Sequence, residues 1–127
     1  MLSVRKGDKY ALYNLGLIAQ TRGQPEEAEA FYRQTLNADR AYVPALFNLA
    51  ILRVAAGASQ EAIGLYGKVI AADPKNANAY FNQALLLQTA GRKKLAAAGF
   101  HHALKLEPTL AARLQSPGTS PPPSVSP

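Results

Sequence analysis

A spacing of 34 residues recurs through most of this 127-residue chain and constrains its fold more than any other feature. When residues 9–42, 43–76 and 77–110 are aligned without gaps, four positions carry the same residue in all three segments. These positions hold Ala11/Ala45/Ala79, Asn14/Asn48/Asn82, Gly23/Gly57/Gly91 and Ala28/Ala62/Ala96. A fixed period of this length is typical of a stack of small repeated units, in which each unit packs mainly on its neighbours.

The apolar pattern inside each unit predicts two α-helices. On both sides of the repeated glycine, apolar residues follow the i, i+3, i+4, i+7 spacing, without strand-like alternation. The glycine lies where the first helix is expected to end, because glycine adopts a positive φ at little cost. Pro25 fits the first turn of a second helix, and Pro74 and Pro108 mark the ends of the second and third units. In the first unit Arg40 occupies that proline position.

The composition is that of a folded chain and leaves few chemical functions open. Hydrophobic residues make up 48% of the chain, enough to bury a core, and there is no cysteine for a disulfide or a thiolate metal site. His101 and His102 are adjacent, so on a helix their side chains point about 100° apart and do not share a metal. No nucleophile motif, phosphate-binding loop or acid–base pair is found. We therefore expect no enzymatic activity, no metal site and no cofactor.

Charge and hydropathy bear on partners and location. The 14 basic residues exceed the 8 acidic ones, for a formal net charge of +6. We interpret the cluster at Arg92, Lys93 and Lys94, with Lys105 further along the same predicted helix, as a solvated basic face. Nucleic acid is disfavoured as a partner, because the aromatic residues fall on the opposite side from these charges. No apolar run reaches 18 residues, so we expect a soluble chain, cytoplasmic by default and without membrane contact of its own.

The 34-residue helix-turn-helix unit with this small-residue pattern resembles the tetratricopeptide repeat, whose signature is W-x2-L-G-x2-Y, then A-x3-F, then a late P. The resemblance covers residues 9–110 and is strongest in the second half of each unit, at Ala28-x3-Tyr32, Ala62-x3-Tyr66 and Ala96-x3-Phe100. The first half departs from the signature. The tryptophan position holds Leu12, Leu46 and Tyr80, the tyrosine position holds Ala19, Arg53 and Leu87, and Gln83 replaces a leucine.

This resemblance implies an all-α fold, a right-handed solenoid of three helix-turn-helix repeats with a short C-terminal capping helix. The expected organisation is an N-terminal lead-in at 1–8, a repeat domain at 9–115 whose cap occupies 111–115, and a disordered Pro/Ser-rich tail at 116–127. An isolated solenoid needs a polar cap on its last repeat. The sequence instead predicts an exposed apolar end there, formed by Leu104, Leu106, Leu110 and Leu114.

The resemblance also implies that the first helix of each unit lines a concave groove. The predicted peptide-binding residues are Tyr13, Asn14, Leu17, Phe47, Asn48, Ile51, Phe81, Asn82 and Leu85. The implied groove positions carry no charge. Heat-shock co-chaperones of this family grip an acidic C-terminal carboxylate with lysine and arginine at such positions, where this chain has Tyr13, Leu17, Asn78 and Asn82. That mode of binding is therefore expected to be absent.

Three asparagines and an aliphatic row remain as the candidate binding features. A primary amide both donates and accepts, so Asn14, Asn48 and Asn82 can bond the backbone of an extended peptide. The alternative is that asparagine and an aromatic residue are simply common at these positions of the family. We predict a non-enzymatic module that binds a largely apolar or neutral, extended or helical peptide of a protein partner. The alternative function is a self-associating unit that forms homo-oligomers through its exposed solenoid ends or its C-terminal tail.

Overall fold

A computed structural model describes residues 8–114, and residues 1–7 and 115–127 lie outside the described range. The predicted tail at 116–127 therefore falls outside it, as does most of the lead-in. The described residues form helices and no strand. The helices are α1 (Lys9–Thr21), α2 (Pro25–Ala38), α3 (Val43–Ala55), α4 (Ser59–Ala72), α5 (Ala77–Thr89) and α6 (Lys93–Leu106), followed by a 3-10 turn (Pro108–Leu110) and α7 (Ala111–Leu114).

The repeated glycines end the first helix of each unit, as predicted. Gly23, Gly57 and Gly91 have φ values of 73°, 84° and 84°, and no other residue described has a positive φ. A side chain at any of them is strained by this left-handed conformation, which explains why glycine recurs there. The side chain of Asp8 caps the start of α1 by accepting from the backbone N–H groups of Tyr10 and Ala11, and that of Asn76 caps the start of α5 by accepting from the N–H of Ala79.

Small residues allow the helices of each pair to approach closely. Ala28 and Ala62 are fully buried and Ala96 is 2% exposed. At Gly16 a Cβ atom would lie 2.5 Å from the ring of Tyr32, so this glycine makes room for a buried aromatic side chain. Helices α1 and α2, α3 and α4, and α5 and α6 pack as hairpins, while α2 on α3 and α4 on α5 join successive units. The predicted all-α repeat solenoid is thus confirmed.

The C-terminal end of the solenoid is more covered than the sequence predicts. The 3-10 turn and α7 fold back over α5 and α6, so that Leu110 is only 8% exposed and packs with Phe81 and Ala103. Leu104, Leu106 and Leu114 are half-buried. Helix α7 begins at Ala111, which is where a fourth unit would begin by the 34-residue spacing. It therefore lies against the last repeat at the place that the first helix of another unit would take.

Arg53, at the position where the family carries tyrosine, is accommodated by ion pairs. Its Nη1 donates to Oε1 of Glu29 in α2 at 2.8 Å, and its Nε lies 3.0 Å from Oε1 of Glu61 in α4, without hydrogen-bond geometry. Arg33 donates to the same two carboxylates, from Nε to Glu29 at 2.9 Å and from Nη2 to Glu61 at 2.8 Å. The four side chains join α2, α3 and α4 across the boundary between the first two units.

Within residues 8–114, no helix combines the length and the apolar character needed to cross a membrane.

Candidate functional site

An aliphatic row runs along the first helices of the three units. Leu17 of α1, Ile51 of α3 and Leu85 of α5 occupy the same position of the repeat and are exposed to nearly the same extent, 37%, 40% and 37%. Val54, one turn beyond Ile51, is also 39% exposed. The same repeat position thus carries an exposed aliphatic side chain in all three units, and recurring exposed apolar surface of this kind is typical of interaction sites. We call the surface formed by this row and the repeated asparagines the channel.

A cleft of ≈ 440 Å³ opens in the channel between α3 and α5. Ile51, Val54 and Leu85 contribute its aliphatic walls, while Asn82 of α5 and Tyr66 of α4 supply polar groups. No charged side chain lines the cleft. Its volume is within the range of sites that hold a few side chains of a ligand, and a mostly apolar lining with few polar groups is usual for such sites.

The three repeated asparagines differ in their hydrogen bonds. Asn48 donates from Nδ2 to the hydroxyl of Tyr13 at 2.9 Å, and Asn82 donates to the hydroxyl of Tyr66 at 3.5 Å, so each amide bonds a tyrosine on an earlier helix. Asn14 is exposed and makes no side-chain hydrogen bond with another described residue. Each bonded amide keeps one N–H group and its carbonyl oxygen for a ligand. The amides therefore form a partly pre-oriented set rather than three equivalent free groups.

The two bonded tyrosines remain protonated donors at neutral pH. Burial raises the pKa of Tyr13 and of Tyr66, and the hydrogen bonds from Asn48 and Asn82 offset this only in part. Each hydroxyl accepts from an amide and retains its own O–H for donation. A peptide carbonyl lying along the channel can thus meet an asparagine N–H and a tyrosine O–H where two successive units meet.

The aromatic position of the repeat is not equally accessible in the three units. Tyr13 and Phe47 are half-buried. Phe47 packs edge-on against Tyr66, with ring centroids 5.4 Å apart. Phe81 differs from the expectation for a contact residue, because it is 1% exposed and lies beneath the guanidinium of Arg113, 4.5 Å from the ring centroid. Helix α7 therefore covers the third aromatic residue, and we leave Phe81 out of the proposed contact surface.

Sequence reasoning missed Tyr66 as a channel residue. It is at the position where the third unit has Phe100, and the pattern assigns both to packing between units. The structure buries the Tyr66 ring to 2% exposure but places its side chain in the wall of the cleft. The difference between tyrosine and phenylalanine at this position was the available signal, because a buried tyrosine hydroxyl needs a hydrogen-bond partner.

Comparison with protein-family models identifies the type of repeat in this chain. Three family models described as tetratricopeptide repeat match residues 10–42, 45–80 and 65–98. The third match begins in α4 and ends in α6, so it spans the boundary between the second and third units. No curated protein matches the chain significantly.

Solved structures share the fold of this chain. The TPR domain of Arabidopsis OM64 is 27% identical, with a TM-score of 0.73 over 85% of this chain and 94% of that domain. MamA is 23% identical, with a TM-score of 0.77 over 85% of this chain, which spans 63% of the MamA chain. The first TPR of Spaghetti (RPAP3), bound to an HSP90 peptide, is 18% identical, with a TM-score of 0.77 over 91% of this chain and 94% of that one. This chain belongs to the tetratricopeptide repeat family.

Proposed function

We propose that this chain is a non-enzymatic protein-interaction module that binds an extended, largely apolar or neutral peptide segment in its channel. The observation that carries the proposal is the aliphatic row of Leu17, Ile51 and Leu85, which is exposed to nearly the same extent in three units and of which Ile51 and Leu85 line an uncharged cleft. Burying such a row against a partner is favourable by about 25 cal/mol per Å² of apolar surface.

In this proposal the apolar contacts supply most of the affinity, and the hydrogen bonds orient the ligand backbone. Ligand side chains pack against Leu17, Ile51 and Leu85, while the ligand backbone bonds the amides of Asn14, Asn48 and Asn82. Tyr13 and Phe47 border this line of contacts. Each hydrogen bond contributes on the order of 1 kcal/mol net and each buried ligand side chain about 1.5–3 kcal/mol. After the entropic cost of association, a dissociation constant of roughly micromolar is expected.

The ligand differs in charge from the HSP90 peptide SRMEEVD that the RPAP3 domain binds. That peptide carries acidic side chains and a carboxylate terminus. The positions expected to grip such a terminus hold Tyr13, Leu17, Asn78 and Asn82, none of which is cationic. An acidic peptide therefore gains no ion pair in this channel, and a neutral one avoids the cost of removing charge from water.

The test begins with selection of short random peptides displayed on phage against the full chain. The affinity of the enriched peptides is then measured by fluorescence anisotropy for the parent chain, for Leu85→Lys in the channel and for Leu95→Lys. Leu95 is the matched control, because it is 56% exposed and lines a cavity of α4 and α6 outside the channel. We expect Leu85→Lys to weaken binding by about tenfold or more and Leu95→Lys to leave it unchanged. Equal loss in both variants, or in neither, contradicts channel binding.

A second variant tests the amides separately. Asn14 is suited to this purpose because no bond within the described part of the chain is lost when its side chain is removed. We expect Asn14→Ala to weaken the same peptide about two- to tenfold, the effect of losing one net hydrogen bond. Unchanged affinity would show that the ligand backbone does not use this amide.

Light scattering on the full chain addresses the alternative of self-association. The covered C-terminal end, with Leu110 only 8% exposed, favours peptide binding over stacking of solenoid ends. We expect one mass across the concentration range without added peptide. Growth with concentration would favour the self-associating unit instead.

A further inference from the structure

A second cleft lies between the second helices of the first two units, outside the channel. This basic cleft, between α2 and α4, has a volume of ≈ 610 Å³ and is larger than the cleft in the channel. Its base is closed by Leu46 and Leu49 of α3, which are 2% and 1% exposed. Its rim carries three cations and one carboxylate, those of Arg33, Arg40, Lys68 and Glu61.

Two of the three cations have no carboxylate partner in the described residues. Arg33 is engaged by Glu29 and Glu61, each at 2.8 Å, so its charge is largely compensated. Arg40 and Lys68 are exposed and form no ion pair within residues 8–114. The cleft therefore has an uncompensated positive charge from two side chains, one at the turn after α2 and one on α4.

The wall of the cleft also has space for an incoming side chain. A Cβ atom placed on Gly64 of α4 would meet no atom within 4 Å. Leu36 of α2, half-buried, contributes apolar surface to the lining. An aliphatic side chain of a ligand can lie over the bare backbone at Gly64 while charged groups of the same ligand face the rim.

The equivalent cleft of the next two units lacks this charge arrangement. It lies between α4 and α6 and has a smaller volume of ≈ 390 Å³. By the repeat, Pro74 stands in place of Arg40, His102 in place of Lys68 and Leu95 in place of Glu61. The cation pair is thus a property of the first cleft and not of the family fold, which both clefts share.

We propose that the basic cleft binds an acidic peptide segment, with two ligand carboxylates facing Arg40 and Lys68 and an aliphatic ligand side chain over Gly64. Arginine and lysine form charge-assisted hydrogen bonds with carboxylates, and such complementarity also speeds association. A peptide fits better than a nucleic acid, because no aromatic side chain lines the cleft for base stacking. This site is separate from the channel and does not depend on the function proposed above.

The test uses display selection with a counter-selection. Random short peptides on phage are enriched on the full parent chain and depleted on the chain carrying Arg40→Glu and Lys68→Glu, which removes peptides that bind the channel. We expect the remaining peptides to carry at least two carboxylates beside an aliphatic residue. Absence of surviving peptides, or survivors without an acidic excess, overturns the proposal.

Affinities of the surviving peptide then locate its site. We expect the chain with Arg40→Glu and Lys68→Glu to bind this peptide at least tenfold more weakly than the parent does. The chain with Arg40→Gln and Lys68→Gln should bind it about tenfold more weakly. The control carries Lys94→Glu and Lys105→Glu, which change the net charge equally on exposed positions of α6, and is expected to bind like the parent. Similar loss in the control, or displacement of the peptide by polyuridylate at lower concentration, overturns peptide binding at this cleft. Thermal melting by circular dichroism checks that each variant folds.

Discussion

The two boundaries between repeat units hold the same three positions with opposite chemistry. At the first boundary Arg53 meets the carboxylates of Glu29 and Glu61. One repeat later the corresponding residues are Leu87, Ile63 and Leu95, which line one cavity. At both boundaries the second helix of one unit packs on the first helix of the next, so the fold accepts either an ion-pair network or apolar side chains at these positions. What the fold requires there is mutual compatibility of the three side chains rather than a particular residue.

The difference also predicts how each boundary responds to its surroundings. Charged groups are screened by salt and titrate with pH, whereas apolar contacts depend mainly on the area removed from water. The contribution of the first boundary to the free energy of unfolding should therefore depend on salt and pH, and that of the second boundary should not. Four measurements test this contrast, in descending order of the expected effect.

The largest effect is expected from Leu87→Ala at the second boundary. Leu87 is 6% exposed, and truncation of a buried leucine removes its transfer free energy and leaves a cavity. We expect the free energy of unfolding to fall by about 2–5 kcal/mol in urea denaturation. Leu95→Ala, at a position 56% exposed, is the control and should change it by less than about 0.5 kcal/mol. Equal losses would contradict the assignment of Leu87 to the core.

A smaller loss is expected from Arg53→Ala at the first boundary. Glu29, whose side chain is 24% exposed, then keeps only Arg33 as a partner. We expect the free energy of unfolding to fall by about 1–2 kcal/mol at low salt, since these groups are partly solvated. The loss should shrink in concentrated sodium chloride, whereas that of Leu87→Ala should not. A loss from Arg53→Ala that is independent of salt would show that the arginine acts mainly through packing of its aliphatic stem.

Replacing the charged residues of the first boundary by the apolar residues of the second should change the free energy of unfolding still less. The triple variant Glu29→Ile, Arg53→Leu and Glu61→Leu gives the first boundary the residues of the second. Arg33 loses both partners but is 46% exposed and can be hydrated. We expect a free energy of unfolding within about 1 kcal/mol of the parent, because replacing a whole ion-pair network by apolar residues is often neutral or stabilising. A greater loss than for Arg53→Ala alone would show that the two boundaries are not interchangeable.

The smallest effect is expected in the dependence of the free energy of unfolding on acid pH. Burial raises the pKa of Glu29, but the hydrogen bonds from Arg33 and Arg53 outweigh it and leave the pKa below its ordinary value. The hydrogen bond from Arg33 likewise lowers the pKa of Glu61. The folded state thus binds fewer protons than the unfolded state, and this stabilisation is present above about pH 4.5 and lost as the pH falls through the lowered pKa values.

The triple variant isolates that contribution from the remaining carboxylates. The difference in free energy of unfolding between the parent and the triple variant, measured at neutral pH and again at acid pH, should change by less than about 1 kcal/mol in favour of the variant. Glu61 is 40% exposed, so solvent weakens its share. A change in the opposite direction would contradict the lowered pKa values.

Much of the architecture could be predicted from the sequence because it depends on local rules repeated three times. The glycines at 23, 57 and 91 end helices through their own backbone freedom, which needs no knowledge of neighbours. The period then sets which helices pack together. The exposure of Leu17, Ile51 and Leu85 follows from the same period, since equivalent positions of a solenoid have equivalent surroundings.

The remaining features depend on contacts that the period does not contain. Phe81 has the same repeat position as Phe47, but α7 covers it, with Arg113 lying over its ring. The bonds of Asn48 to Tyr13 and of Asn82 to Tyr66 join residues on different helices, and the distances between side-chain ends decide them. The pattern marked Arg53 as a departure from the family. Its pairing with Glu29 and Glu61 depends on how α2, α3 and α4 pack together.

The most direct test of the central claim is a methyl NMR titration of the full chain with a neutral peptide selected as described above. Binding in the channel predicts the largest shift changes at the methyl groups of Leu17, Ile51 and Leu85, with Leu95 and Ile63 unaffected. Largest changes at Leu95 and Ile63, with the aliphatic row of the channel unchanged, would contradict the account.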